Sequence, residues 1–96
     1  MASLIANLNK VFDSRIRLGI MSILSVNTDA DFNEMKQMME LTDGNLASHL
    51  RALENEGYLR SMKRFIGRKP NTSYAITPAG RRAFQNHIDA LERLTR

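Results

Sequence analysis

Asn45, Ser48 and His49 are the first residues in this chain that invite a chemical reading. With Gly44, Arg51, Ala52 and Asn55 they fall on one side of a helical repeat whose other side is Leu46, Ala47, Leu50 and Leu53. An amide, a hydroxyl and an imidazole both donate and accept hydrogen bonds. They are also short, where a solvated helix face usually carries long Lys and Glu, so the face suits a polar partner surface. A cationic block follows. No acidic residue stands between Glu56 and Asp89, while the interval holds Arg60, Lys63, Arg64, Arg68, Lys69, Arg81 and Arg82. Such a block repels itself unless solvated or matched by a polyanion. Nucleic acid is the leading polyanion and an acidic membrane surface a distant one; a solvated basic hairpin is the plain alternative.

The elements that must position these residues carry their own boundary signals. Thr42 is an N-cap candidate, Asp43 suits the positive end of the helix dipole, and Gly57 stands where a left-handed C′ residue is wanted, so a helix is predicted over 43–56. Before it, Asp31-Phe32-Asn33-Glu34 is a capping-box pattern opening a short helix to Met39, with Phe32, Met35 and Met39 inward. Met35, Met38 and Met39 read first as core filling, and second as an adaptable partner surface. Glu40-Leu41-Thr42 joins the two helices, which is helix-turn-helix spacing. A helix capped by Asp13 or Ser14 and running to about Ser25 is expected to be the most buried. Its inner stripe is Ile16, Ile20, Ile23 and Leu24, with Leu18 and Met21 on its flanks. Asn27-Thr28-Asp29 reads as a turn. Residues 3–11, with Leu4, Ile5, Leu8 and Val11, are spaced as a short amphipathic helix, marginal alone and needing something to pack on.

After Gly57 the period changes. Tyr58 to Ile66 reads as a twisted strand, Gly67-Arg68-Lys69-Pro70-Asn71-Thr72 as a loop, and Ser73 to Thr77 as a returning strand. Thr77 and Pro78 then begin a last helix as N-cap and N1, with Ala83, Phe84, His87, Ile88, Leu91 and Leu94 along one side.

Size and composition bound the rest. A chain of 96 residues is one domain, 1–96, with room for one modest core. It is 43% hydrophobic and 25% charged, the composition of a globular protein rather than a disordered one. No apolar run is long enough for a membrane span and no secretory signal pattern opens the sequence, so a cytoplasmic location is expected. Without cysteine there are no disulfides, thiolate metal sites or thiol sensors. His87 with Asp89 is the nearest thing to a metal pair, far from the four ligands of a structural zinc site. No metal and no cofactor are expected. No phosphate-cradling glycine loop or catalytic pairing of His with a carboxylate is present either, so an enzyme is not expected.

Four segments in this order carry a family likeness: Ser14-Arg15-Ile16-Arg17-Leu18-Gly19-Ile20, residues 41–50, Leu53-Glu54-Asn55-Glu56-Gly57-Tyr58-Leu59, and Ile76-Thr77-Pro78-Ala79-Gly80-Arg81. With the Gly67-Arg68-Lys69-Pro70 tip, the chain resembles a winged helix-turn-helix DNA-binding domain. More narrowly, it resembles the small regulators related to the MarR and ArsR families, from about Arg15 to Ala83. The fold so implied is mainly α with a small β-wing, about five helices and a two- to three-stranded antiparallel sheet. The resemblance implies a transcriptional regulator that binds a pseudo-palindromic duplex as a homodimer. Helix 43–56 would enter the major groove, and the basic wing, 60–76, would lie on backbone or minor groove. Asn45, Ser48 and His49 would face base edges, Thr42 a phosphate, and Arg51, Lys63, Arg64, Arg68 and Lys69 the backbone, with Arg68 the candidate for a minor groove. Asp43 is expected to cap its helix. The terminal elements, 1–12 and 78–96, would form the dimer through Leu4, Ile5, Leu8, Phe84, Ile88, Leu91 and Leu94. The competing reading is a winged-helix protein-interaction module without specific DNA binding.

Overall fold

The computed structural model describes residues 3–96. In chain order it has α1 (Arg15–Val26), β1 (Ala30–Asp31), α2 (Phe32–Met39), α3 (Asp43–Asn55), β2 (Leu59–Ile66), β3 (Lys69–Ile76) and α4 (Pro78–Leu94). The strands form one antiparallel sheet in the order β1-β3-β2. The mainly helical class with a small sheet is as expected, with four α-helices among the described residues where about five were expected.

The expected first helix is replaced by turns. Residues 4–7 make isolated turns, and a single 3-10 turn spans Lys10–Phe12. The first two residues of the 1–12 element lie outside the described residues. Asn9 explains the break: its Oδ1 accepts the Val11 N–H at 2.9 Å, capping the 3-10 turn in place of helical bonding. The segment is anchored from afar. His87 Nδ1 accepts the Asn9 backbone N–H at 3.0 Å, and Asn9 Nδ2 donates to the Tyr58 hydroxyl at 3.1 Å. Phe12 is buried against Tyr58, Phe84 and His87, with ring centroids 5.2–5.8 Å away.

Ile20, Met21 and Leu24 of α1, Met35 of α2 and Leu46, Leu50 and Leu53 of α3 fill the core. Met21, expected on a flank, is fully buried because β3 also packs on this helix. The expected N-caps are present: Ser14 Oγ, Asp31 Oδ1, Thr42 Oγ1 and Thr77 Oγ1 accept from the amides of Arg17, Glu34, Asn45 and Gly80. The Glu34 amide holds the Asp31 carboxyl below its ordinary pKa.

Two connections set the angles between elements. Glu40, at φ 52°, ends α2, with Leu41 N–H donating to the Lys36 carbonyl at 3.1 Å. Gly57, at φ 79°, ends α3 in a Schellman arrangement: Tyr58 N–H donates to the Leu53 carbonyl at 3.0 Å, and Gly57 N–H to that of Glu54 at 2.9 Å. The chain therefore turns from α3 into β2 within three residues.

The hairpin differs from expectation at its tip. The predicted loop of residues 67–72 shrinks to Gly67-Arg68, and Lys69 already pairs with Ile66. Gly67 has φ 63° at the first central position, where a two-residue type II′ turn needs it. Pro70 faces Phe65, one pair beyond the closing hydrogen-bonded pair. Its missing N–H thus lies on the free edge of β3, where it costs no ladder bond. The turn expected at 27–29 is followed by the short edge strand β1, which pairs Ala30 with Tyr74 and Asp31 with Ser73.

Candidate nucleic-acid interface

Leu46, Leu50 and Leu53 fix how α3 is turned. All three are buried, and replacing one by Ala in such a core costs about 2–5 kcal/mol, so the helix has one stable rotation. That rotation leaves Asn45, Ser48, Arg51 and Asn55 exposed on the outer side. Thr42, also exposed, uses its Oγ1 to accept the Asn45 N–H at 3.2 Å, which leaves its hydroxyl proton free to donate. Asp43 sits in the first turn and pairs with Lys36 of α2 at 2.8 Å. Its charge is thus partly neutralised by a lysine that sequence reading had no reason to single out.

His49 stands at the edge of this face, half-buried. Arg17 of α1 donates from Nε to His49 Nδ1 at 3.0 Å and from Nη1 to the Val11 carbonyl at 3.3 Å. Burial, and after it the Arg17 charge, push the imidazole pKa below its ordinary 6.5. Accepting through Nδ1 leaves Nε2 to carry the ring proton of the neutral imidazole, so what His49 can offer a ligand is a donor. Arg17 is a functional candidate that the site reading missed. The only hint in the sequence is that Arg17 lies in the first turn of α1, three residues after the capping Ser14.

The hairpin cations divide into two sets. Arg64 donates from Nη2 to Ser73 Oγ at 2.7 Å and meets Asp29 at 3.5 Å, lying back across the sheet. Lys63, Arg68, Lys69 and, on α3, Arg51 are exposed and make no salt bridge among the described residues.

The residues expected at a dimer contact also divide. Phe84 packs edge-on against Phe12 and belongs to the chain's own core, as does His87. Leu8 is half-buried. Leu4 and Ile5 are exposed, and Ile88, Leu91 and Leu94 keep more than a third of their surface in solvent along α4. His87 serves as the buried acceptor for Asn9 rather than as half of a metal pair. Among the described residues no group of three or more His, Cys, Asp or Glu is arranged to hold a metal ion. No helix among them is long and apolar enough to cross a membrane.

A helix with a polar outer side, turned directly into a basic two-stranded hairpin, matches the family model for the winged helix DNA-binding domain over residues 16–95. The chain belongs to that family. This winged helix domain is 37% identical over 87 residues to an uncharacterized protein of Methanocaldococcus jannaschii, spanning 91% of this chain and 95% of the relative. It is similar to the structure of a transcriptional regulator homologue from Pyrococcus horikoshii OT3, at 32% identity and a TM-score of 0.76, with 90% of each chain covered. It shares its fold with a MarR-family transcriptional regulator from Silicibacter pomeroyi, at 16% identity and a TM-score of 0.67, over 97% of this chain and 64% of that one. In this fold α3 is the second helix of the helix-turn-helix and β2–β3 is the wing.

Proposed function

We propose that this winged helix domain is a sequence-specific duplex DNA-binding transcriptional regulator acting as a homodimer. The observation that carries the reading is the exposure of Asn45, Ser48 and Arg51 on α3, held outward by three buried leucines. Asn45 is suited to pair bidentately with adenine, and Ser48 to donate or accept at a base edge. The His49 Nε2–H adds a donor toward a base acceptor or a phosphate. The Thr42 hydroxyl and the first-turn amides suit a phosphate. Arg51, Lys63, Arg68 and Lys69 supply the salt-dependent backbone term, Arg68 reaching for a minor groove from the hairpin turn. Arg64 contributes less, since Asp29 already meets part of its charge.

The exposed Ile88, Leu91 and Leu94, with Leu4 and Ile5, are the apolar surface a second copy would cover. A two-fold dimer presents two recognition helices to a pseudo-palindromic site with half-sites about one DNA turn apart. A mobility-shift assay on genomic fragments tests the reading. A shift that survives excess non-specific duplex supports it. No shift at low salt, together with a stable complex with another protein, would favour the interaction-module reading instead.

A further inference from the structure

The wing ends in apolar side chains that the fold itself does not use. Phe65 is 73% exposed and Ile66 62% exposed, at the last two positions of β2. Phe65 is the only exposed aromatic side chain among the described residues; the other three phenylalanines and both tyrosines are buried or half-buried. Its cross-strand neighbour is Pro70, so the ring and the pyrrolidine share one face of the tip, while Ile66 and Lys69 share the other. A flat, exposed, apolar strand end is an aggregation hazard that edge strands usually avoid. Around it stand Lys63, Arg68 and Lys69, none of them paired to an acid among the described residues, while Asp31 lines the hollow beside Ile66, Lys69 and Pro70 and is engaged by Asn71.

An apolar wedge ringed by free cations fits a ligand whose apolar faces are flanked by phosphates. In duplex DNA the base steps seen from the minor groove meet that description. Proteins that enter this groove often insert Phe, Ile or Pro between base pairs and kink the duplex by about 20–90° toward the major groove. The tight turn supports such use. With only Gly67-Arg68 between the strands, Phe65 lies within one strand pair of the end of the hairpin, carried on a hydrogen-bonded ladder rather than a loose loop. An anionic membrane surface would match the same charge, but the hairpin follows α3 after only three residues, which joins the wing to the proposed DNA-reading helix.

We infer that the wing tip is a wedge: Phe65 enters a base step from the minor groove, bends the bound duplex, and thereby adds a preference for easily unstacked pyrimidine–purine steps beside the half-sites. This rests on the DNA-binding reading above, and the experiment separates the two. A duplex of about 30 base pairs retained by the protein from a random pool is labelled with a fluorescence donor and acceptor at its ends and carries 2-aminopurine at candidate steps. The intact protein is expected to shorten the end-to-end distance and raise the 2-aminopurine emission at one step per half-site. Phe65→Ala, a change at an exposed position, should still shift the duplex at low salt, with an affinity loss between about 30-fold and about 10⁴-fold from two lost stacks, one per protomer. It should also abolish both signals. Binding without a bend by the intact protein, or a bend that Phe65→Ala leaves unchanged, overturns the wedge while leaving DNA binding intact. Failure to shift any duplex at low salt overturns both. Co-sedimentation with phosphatidylserine vesicles that depends on Phe65, without any duplex bend, would reassign the tip to a membrane surface.

Discussion

Removing the two cations at the wing turn should change the salt dependence of DNA binding by a calculable amount. Arg51, Lys63, Arg68 and Lys69 are the candidate contacts without an acidic partner, and a dimer doubles them to eight. At about 0.9 per neutralised phosphate, the slope of log K against log salt is then about −7. Between about 50 and 200 mM salt that slope costs roughly 10⁴-fold in affinity. Replacing both Arg68 and Lys69 by Ala removes four contacts per dimer, and the slope should flatten by about 3.6. Over the same interval the variant should lose only about 150-fold. Arg64→Ala is the internal control: its guanidinium is already held by Ser73 and Asp29, so it should flatten the slope by less than Arg68→Ala does. The assay is a fluorescence-anisotropy titration of one duplex at several salt concentrations. An unchanged slope in the double variant, or a larger change from Arg64→Ala, would refute the assignment of free wing cations to phosphates.

Three further outcomes follow from particular contacts. A Cβ at residue 80 would collide with the Tyr58 carbonyl, 2.8 Å from its carbon, so Gly80→Ala must push α4 off the strand entry and strain the 3.0 Å bond from Thr77 N–H to that carbonyl. It should cost about 2–4 kcal/mol in a urea melt, from overpacking plus a lost hydrogen bond, and a loss near zero would contradict the packing. His49 has its pKa lowered in the fold, so below its ordinary 6.5 the unfolded chain takes up a proton that the native state resists. Its contribution to stability is therefore full above about 6.5 and declines as pH falls below that; His49→Gln should remove this part of the decline, and identical profiles for the two proteins would argue against it. Leu91→Asp places a charge on the exposed α4 stripe in both copies and should weaken dimerisation by at least about 5-fold in sedimentation, since the exposed third of each leucine is worth about 0.5–1 kcal/mol when covered; a variant that remains dimeric would move the interface elsewhere.

The parts of the fold readable from sequence are those governed by neighbours in the chain. Asp31 with Glu34, Thr42, Gly57, and Thr77 with Pro78 state where helices start and stop, and the structure uses each one. The leucine spacing of α3 likewise fixes which side faces out. What was misread depends on distant partners. The N-terminal residues have helical spacing, but Asn9 is claimed by His87 and Tyr58, 78 and 49 residues away. The bond from Arg17 to His49 spans 32 residues and leaves no local pattern. Lys69, Pro70 and Asn71 read as loop by residue type, whereas the two-residue turn at Gly67 dictates the register and seats Pro70 where no amide is needed. Phe84 reads as one more member of the α4 stripe, but Phe12, brought in by the anchored N-terminal segment, packs edge-on against it.

Regulation by this domain requires that the outer side of α3 read sequence. The direct measurement is competition binding of the intact protein and Asn45→Ala against duplexes selected from a random pool and their single-base-pair variants. Asn45→Ala should lose about 1–3 kcal/mol of discrimination at one symmetric pair of positions, with little loss of binding to unrelated duplexes. A selected pool with no common sequence, or a specificity profile unchanged by Asn45→Ala, would contradict it.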